Sequence, residues 1–257
     1  MAKINVIKVG GNVIENPNAL DNFLKDFVAL AGPKILVHGG GKKASQWSKR
    51  LDIPVEMKEG RRITNSETLE LITGIYGGQV NKNIVASLQG YDCNAIGLSG
   101  ADGNAIQAIK RTVEETDFGW VGDITHVNTA FFKLLLENGM SPICCALTHN
   151  GQGQILNTNA DTIASSIAVA LGKDYEVTLY YCFEQMGVMK SLEDPNSLIE
   201  QIDTKIYKEL KEQNIITDGM LPKLKNAFEA LQKGVCKVAI GKPEMIKGTM
   251  KHTSITL

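Results

Sequence analysis

The chain has 257 residues, of which 43% are hydrophobic and 21% charged, and its formal net charge is -1. That balance suits one large α/β domain or two lobes and offers no basis for broad attraction to nucleic acid or to a membrane surface. No apolar run reaches the ~20 residues of a membrane span, and Lys3 and Lys8 interrupt any leader-like start, so a cytoplasmic location is expected.

Residues 4–9 predict a short buried strand that carries Lys8 to its carboxyl end and into the turn Gly10-Gly11. Leu20, Phe23, Leu24, Phe27 and Leu30 recur at helical spacing and predict a helix over 19–30, closed by Gly32-Pro33. A second strand over 34–38 runs into Gly39-Gly40-Gly41, and a helix over 42–51 follows. Two strand–glycine–helix turns in succession lie at one edge of a sheet when the winding is right-handed. Residues 53–57 read as extended and 59–64 as a loop or hairpin. Thr64 with Glu67 suggests a capping box for a long helix over 66–89. A strand over 95–98 feeds the glycine-rich stretch 99–103, a hairpin spans 106–109 and 120–127, and a helix over 128–138 ends at Gly139. Residues 141–147 read as one apolar strand. Residues 155–159 lead to Asp161 and a small-residue helix ending at Gly172. Further strands are expected over 177–182, 235–240 and 254–257, and helices over 204–213 and 222–233. Strands alternating with helices predict an α/β fold, with both lobes sharing one continuous sheet.

The five cysteines, Cys93, Cys144, Cys145, Cys182 and Cys236, lack C-x-x-C spacing and are odd in number, so all read as buried free thiols. The chain has no G-x-x-x-x-G-K-[ST], no G-x-G-x-x-G after a strand, no H-E-x-x-H and no G-x-S-x-G. Its glycine turns nonetheless suit anions, because glycine lets backbone N–H groups approach closely. Lys8 is either part of such a site or a strand-end lysine reaching water. Arg62 is a candidate carboxylate fork or a surface charge. Either Asn159 or Asp161 caps the helix that follows. Lys223 lies in the first turn of its helix, where it opposes the helix dipole, a mismatch that an anion would relieve. His38 reads as a packed strand-end residue, and Asp102, His126 and His149 as turn or surface residues.

Lys8-Val9-Gly10-Gly11, His38-Gly39-Gly40-Gly41, Gly60-Arg61-Arg62-Ile63-Thr64, Gly97-Leu98-Ser99-Gly100, residues 157–161, and Ile215-Ile216-Thr217-Asp218-Gly219-Met220 with Lys223 span nearly the whole chain. In this order and spacing they resemble the amino-acid kinase family, and within it the branch that phosphorylates N-acylated glutamate. The resemblance implies a three-layer αβα sandwich around a mostly parallel open sheet. Residues 1–172 would hold the N-acylglutamate and 173–257 would hold ATP. The implied reaction is ATP-dependent phosphorylation of the γ-carboxylate to an acyl phosphate in arginine or ornithine biosynthesis, with Mg²⁺ carried mainly by the nucleotide and no protein metal site. Carbamate or glutamate kinase activity and a non-catalytic binding role are the alternatives.

By resemblance, Lys8 and Lys223 stabilise the transferring group, Asp161 holds both, and Gly11 belongs with them. Gly40, Gly41, Arg62 and Asn157 bind the acylated substrate, and Gly10, Glu184, Met186, Gly187, Ile215, Ile216 and Thr217 contact the nucleotide. A carboxylate with a reference pKa of about 4.3 is already ionised at neutral pH and needs no general base. Two departures stand out. Cys182-Phe183-Glu184-Gln185-Met186-Gly187-Val188 replaces the family's Thr/Ser-Asp-Val-x-Gly-Val-like turn, and Arg61 stands where an apolar residue is usual. The extra charge of Arg61 suits a more acidic acyl group, so both acetyl and succinyl stand as candidate acyl groups. The strand beginning by residue 4 leaves no room for the N-terminal helix of arginine-inhibited relatives, so a homodimer without strong arginine inhibition is expected.

Overall fold

The computed structural model describes all residues except Glu59, Leu192, Pro195, Asn214 and 217–219. Strand β1 (Lys3–Val9) is followed at once by a five-residue helix, α1 (Gly11–Glu15), that residue patterning did not anticipate. Helix α2 (Pro17–Ala29) starts earlier than expected because the Asn16 side chain accepts from the Ala19 N–H. Its Phe23, Leu24 and Phe27 are buried. Strand β2 (Lys34–His38) and helix α3 (Gly41–Arg50) follow as read. The hairpin β3 (Met57–Lys58) and β4 (Arg61–Arg62) is short.

Asn65, not Thr64, caps α4 (Ser66–Ile72) by accepting from the Thr68 N–H. The expected long helix is continuous, but its middle, Thr73–Val80, is a π-helix before α5 (Asn81–Gln89). Its Gly74, Gly77 and Gly78 ease the wider turn.

Strand β5 (Ala95–Leu98) precedes the hairpin β6 (Ile106–Lys110) and β7 (Gly122–Val127). Asn128 caps α6 (Thr129–Glu137). The single strand expected over 141–147 divides into β8 (Ser141–Cys145) and β9 (Leu147–His149), which belong to different sheets. Strand β10 (Ile155–Asn157) leads to α7 (Ala160–Leu171) and β11 (Glu176–Cys182). A small hairpin, β12 (Val188–Met189) with β13 (Leu198–Ile199), and β14 (Gln201–Ile202) are additions. Helices α8 (Thr204–Glu212) and α9 (Leu221–Gln232) and strands β15 (Lys237–Gly241) and β16 (Thr253–Ile255) complete the chain.

One eight-stranded sheet, in the order β14-β16-β15-β11-β1-β2-β8-β5, runs through the whole protein. Only the pair β15–β16 is antiparallel. Strands from both halves of the chain therefore meet at β1 and β11, where Lys8 pairs in register with Tyr181. Helices α6, α7 and α9 form one packed group and α1, α2, α3 and α5 another, giving the layered α/β architecture. A second sheet, β10-β9-β6-β7, stands apart from the first and carries the outer wall of the site. Cys93, Cys144, Cys145 and Cys182 are buried, but Cys236 is exposed, because it lies just before β15 at a turn. No helix among the described residues is long and apolar enough to cross a membrane.

The π-helix brings the Tyr76 ring against the Gly40 backbone, where an added Cβ would lie 2.6 Å from a ring carbon. Gly40→Ala is therefore expected to cost ~1–3 kcal/mol and lower the thermal midpoint by roughly 2–10 °C. Gly74→Ala has open space around its Cβ and is expected to leave the midpoint unchanged or raised. Equal midpoints for Gly40→Ala and wild type in calorimetry would contradict the contact.

Candidate functional site

A cavity of about 630 Å³ opens at the carboxyl edge of β1 and β2, where open α/β sheets collect ligands. Among the described residues its lining contains six basic side chains, Lys8, Lys42, Arg61, Arg62, Arg111 and Lys223, against three acidic ones, Asp123, Asp161 and Glu184. The site is therefore electropositive and suits anions.

At its centre Asp161 accepts contacts from two lysines. Lys8 Nζ is 2.8 Å from Oδ1 and Lys223 Nζ is 2.6 Å from Oδ2. Lys8 comes from the end of β1, Asp161 from the first turn of α7 and Lys223 from the first turn of α9. Asn159 is the cap of α7, its Oδ1 accepting from the N–H groups of Asp161 and Thr162, which leaves the Asp161 carboxylate for the lysines. Burial acts to raise the Asp161 pKa, but the opposed charges of Lys8 and Lys223 outweigh it and hold the carboxyl at about 2. The ion pair with Asp161 also explains the position of Lys223 in the first turn of its helix, because the carboxylate offsets the unfavourable dipole.

Gly10, Gly11, Gly39, Gly40 and Gly41 line the cavity. The Gly10 N–H is already used, donating to the Cys182 carbonyl at 3.0 Å and joining the two halves of the sheet. Gly11 and Gly41 open α1 and α3, where the first N–H groups have no partner within the helix. Arg62 is buried rather than a surface charge. Its Nη2 donates to the Gly41 carbonyl at 3.0 Å and to Ser45 Oγ at 2.7 Å, while its Nη1 is buried without a hydrogen-bond partner among the described residues. Asn157 donates to Thr64 Oγ1 at 3.0 Å and also lines the cavity.

Sequence reasoning missed Tyr76, Arg111 and Asp123, all of which line the same space. Arg111, one residue past β6, pairs with Asp123 of β7, Nη2 to Oδ1 at 2.5 Å, and Arg111 Nη1 is buried without a partner among the described residues. Only the hairpin geometry could have paired them; neither lies in a glycine motif. Glu184 reaches the lining beside Phe183. Met186, Gly187, Ile215 and Ile216 do not line this cavity: Gly187 is packed tightly against Thr253 and Leu198, and Ile216 is buried in the core. Thr217 lies outside the described residues.

His38 is fully buried behind the glycine turn, and burial lowers its pKa to about 4. Asp102 accepts from the N–H and hydroxyl of Ser99, as a turn residue should. Among the described residues no group of three His, Cys, Asp or Glu side chains could hold a metal ion.

A two-lysine centre, glycine turns and three arginines in one cavity at a strand-end crevice define a site that suits anionic groups. The sequence profile of the amino acid kinase family matches residues 3–242, and the chain belongs to that family. It is 51% identical over 247 residues to the acetylglutamate kinase of Cytophaga hutchinsonii, covering 96% of this chain and 94% of that protein. Identity to the acetylglutamate kinase of Parabacteroides distasonis is 48% over 252 residues, covering 97% and 99%. Among solved structures, a Streptococcus mutans protein superposes with a TM-score of 0.79 at 28% identity, covering 98% of each chain. Carbamate kinase from Giardia lamblia shares the fold, with a TM-score of 0.74 at 14% identity, covering 99% and 98%.

His38 and Asp161 should both make the protein less stable in acid. His38 titrates near 6.5 when unfolded and near 4 when folded, so the unfolded chain binds more protons in that window and stability falls as pH drops through it. Asp161, at about 2 when folded against 3.8, adds a further loss below about pH 4. Urea midpoints should fall steadily from pH 7 to pH 4. Midpoints that are flat or rising on acidification would contradict the buried, neutral state of His38.

Proposed function

We propose that this chain transfers the γ-phosphoryl group of ATP to the γ-carboxylate of an N-acyl-L-glutamate, giving an acyl phosphate for arginine or ornithine biosynthesis. The observation that carries the reading is the Lys8–Asp161–Lys223 arrangement at the floor of the cavity. The relatives named acetylglutamate kinase supply the substrate class.

Acceptor and donor are both anions, so the chief obstacle is their mutual repulsion. Lys8 and Lys223 offset it from two directions, and Asp161 fixes both ammonium groups while neutralising only one charge. Catalysis then rests on positioning and electrostatic stabilisation, with no proton to be removed from the acceptor. Gly11, Gly40 and Gly41 offer backbone N–H groups, and Arg62 and Asn157 hold the α-carboxylate end of the substrate. On the nucleotide side, Gly10 and Glu184, which line the cavity, adjoin the reacting phosphates, and the nucleotide contacts of Met186, Gly187, Ile215, Ile216 and Thr217 rest on the family resemblance alone. Both Asp161 oxygens are engaged by lysines, which fits Mg²⁺ carried on the phosphates of ATP rather than by a protein cluster. Residues 1–172 and 173–257 are the acyl-substrate and nucleotide lobes in this reading, within a cytoplasmic homodimer.

The acyl group is the finer point. Arg111, whose Nη1 has no partner among the described residues, and Arg61 both line the cavity and favour an acyl group bearing its own carboxylate, such as succinyl. Arg111→Ala should then reduce kcat/KM for N-succinylglutamate about 10-fold or more while changing N-acetylglutamate little. An ATP-dependent hydroxamate assay with the two acylglutamates decides between them: turnover of the acetyl compound alone removes the succinyl proposal, and turnover of neither removes the kinase reading.

Lys8→Ala should lower kcat by about 10²–10³-fold, because its contact strengthens as charge develops in transfer. The assay of that variant at saturating ATP checks it. Near-normal kcat would return Lys8 to a structural role.

A further inference from the structure

Behind the glycine turn lies a buried polar chain that the proposed reaction does not use. Asn81, in the first turn of α5, is 1% exposed, and His38 is 0% exposed. Asn81 Oδ1 accepts from Lys82 Nζ at 3.1 Å, and Asn81 Nδ2 donates to the Ile143 carbonyl at 2.8 Å. Those two contacts fix which way the amide faces, since a carbonyl accepts and an ammonium donates. The second Nδ2 hydrogen then points at His38 Nε2, 3.0 Å away. That nitrogen must accept, so the ring proton resides on Nδ1. Nδ1 lies 2.7 Å from the Gly39 carbonyl oxygen and donates to it. Every member of the chain Lys82, Asn81, His38, Gly39 is satisfied in one hydrogen-bond direction only. Gly97 leaves room for it, because a Cβ there would collide with Asn81 Oδ1.

The consequence falls on the peptide between Gly39 and Gly40. In a trans peptide the C=O and the following N–H point to opposite sides. With the carbonyl turned toward buried His38, the Gly40 N–H faces the other way, and Gly40 lines the anion cavity while His38 does not. The Gly40 N–H has no acceptor among the described residues. Glycine on both sides of this peptide makes the opposite orientation accessible, and that orientation would aim a carbonyl oxygen at an anion.

We infer that His38 is a positioning residue: its Nδ1–H holds the Gly39 carbonyl in the core and thereby keeps the Gly40 amide turned toward the acylated substrate. The inference rests on the proposed acylglutamate site for its ligand, but the hydrogen-bond direction stands on geometry alone.

The test compares two conservative variants. In His38→Asn the side-chain amide reaches the Nδ1 position and can still donate to Gly39. In His38→Gln it reaches the Nε2 position, can still meet Asn81, and cannot reach Gly39. Steady-state kinetics should show KM for the N-acylglutamate raised about 10-fold or more in His38→Gln and within about 3-fold of wild type in His38→Asn. KM for ATP should be unchanged in both. Equal losses in the two variants, or equal rises in both KM values, would overturn the positioning role and leave a merely structural one. Nitrogen-15 spectra of the wild-type protein at neutral pH give a readout independent of activity. They should show a neutral ring protonated at Nδ1; a ring protonated at Nε2 or at both nitrogens would overturn the inference even if a variant fails to fold. Wild-type protein inactive on every acylglutamate would fault the proposed function instead, and the spectra together with the Gly39 carbonyl direction in a His38→Gln crystal structure would still decide the role of His38.

Discussion

The Asp161 carboxylate sits between two ammonium groups that arrive from opposite ends of the chain. Lys8 is within the first ten residues and Lys223 within the last forty, and both reach one side chain at the start of α7. A single carboxylate cannot neutralise both lysines, so the centre retains a surplus positive charge in a partly buried place. Such an arrangement is a poor way to stabilise a fold, because desolvating charges is costly and the surplus is uncompensated. It is a good way to prepare for an arriving anion, which restores the balance. The electropositive cavity around it extends the same logic outward.

The rest of the structure keeps those three residues in register. Parallel pairing of β1 with β11 joins the two halves of the sheet, and the Gly10 N–H extends that pairing one bond past the strand end to Cys182. Lys8 therefore emerges at the seam instead of within one lobe. Asn159 takes over the capping of α7, so Asp161 is free to hold the lysines. On the neighbouring strand His38, held by Asn81 of α5, braces the second glycine turn from the core side. The π-helix contributes from outside, setting the Tyr76 ring on Gly40. Two glycine turns are thus buttressed by quite different means, one by the sheet and one by a buried polar chain and an aromatic ring.

What could be read in advance followed from local chemistry. The strands β1, β2, β5 and β11 are apolar runs ended by glycine or turn residues, and α6 and α7 carry asparagine caps, so patterning alone located them closely. Lys8, Gly40, Arg62, Asn157, Asp161 and Lys223 lie in short motifs, and all line one cavity. The misses share a different cause, which is dependence on distant contacts. Nothing local distinguishes Ala146 as the point where one apolar run changes sheets. Arg62 looks like a loop charge until α3 closes over it with the Gly41 carbonyl and Ser45. Arg111 is followed by polar and acidic residues, and its place in the cavity wall depends on the β6–β7 pairing. The choice between Asn159 and Asp161 as cap could not be made until the lysines were in place. The π-helix is a matter of backbone winding that hydrophobic periodicity does not resolve, since both helix types bury one face.

In the proposed mechanism Lys8 and Lys223 close on the group in transfer from two sides while Asp161 anchors both. The most direct measurement is a crystal structure of the protein with ADP, tetrafluoroaluminate, Mg²⁺ and the acylglutamate that it turns over. The planar fluoride group should lie in line between the nucleotide and the substrate carboxylate, with Lys8 Nζ and Lys223 Nζ both within hydrogen-bond distance of it and both still touching Asp161. A fluoride group seated elsewhere in the cavity, or in contact with neither lysine, would contradict it.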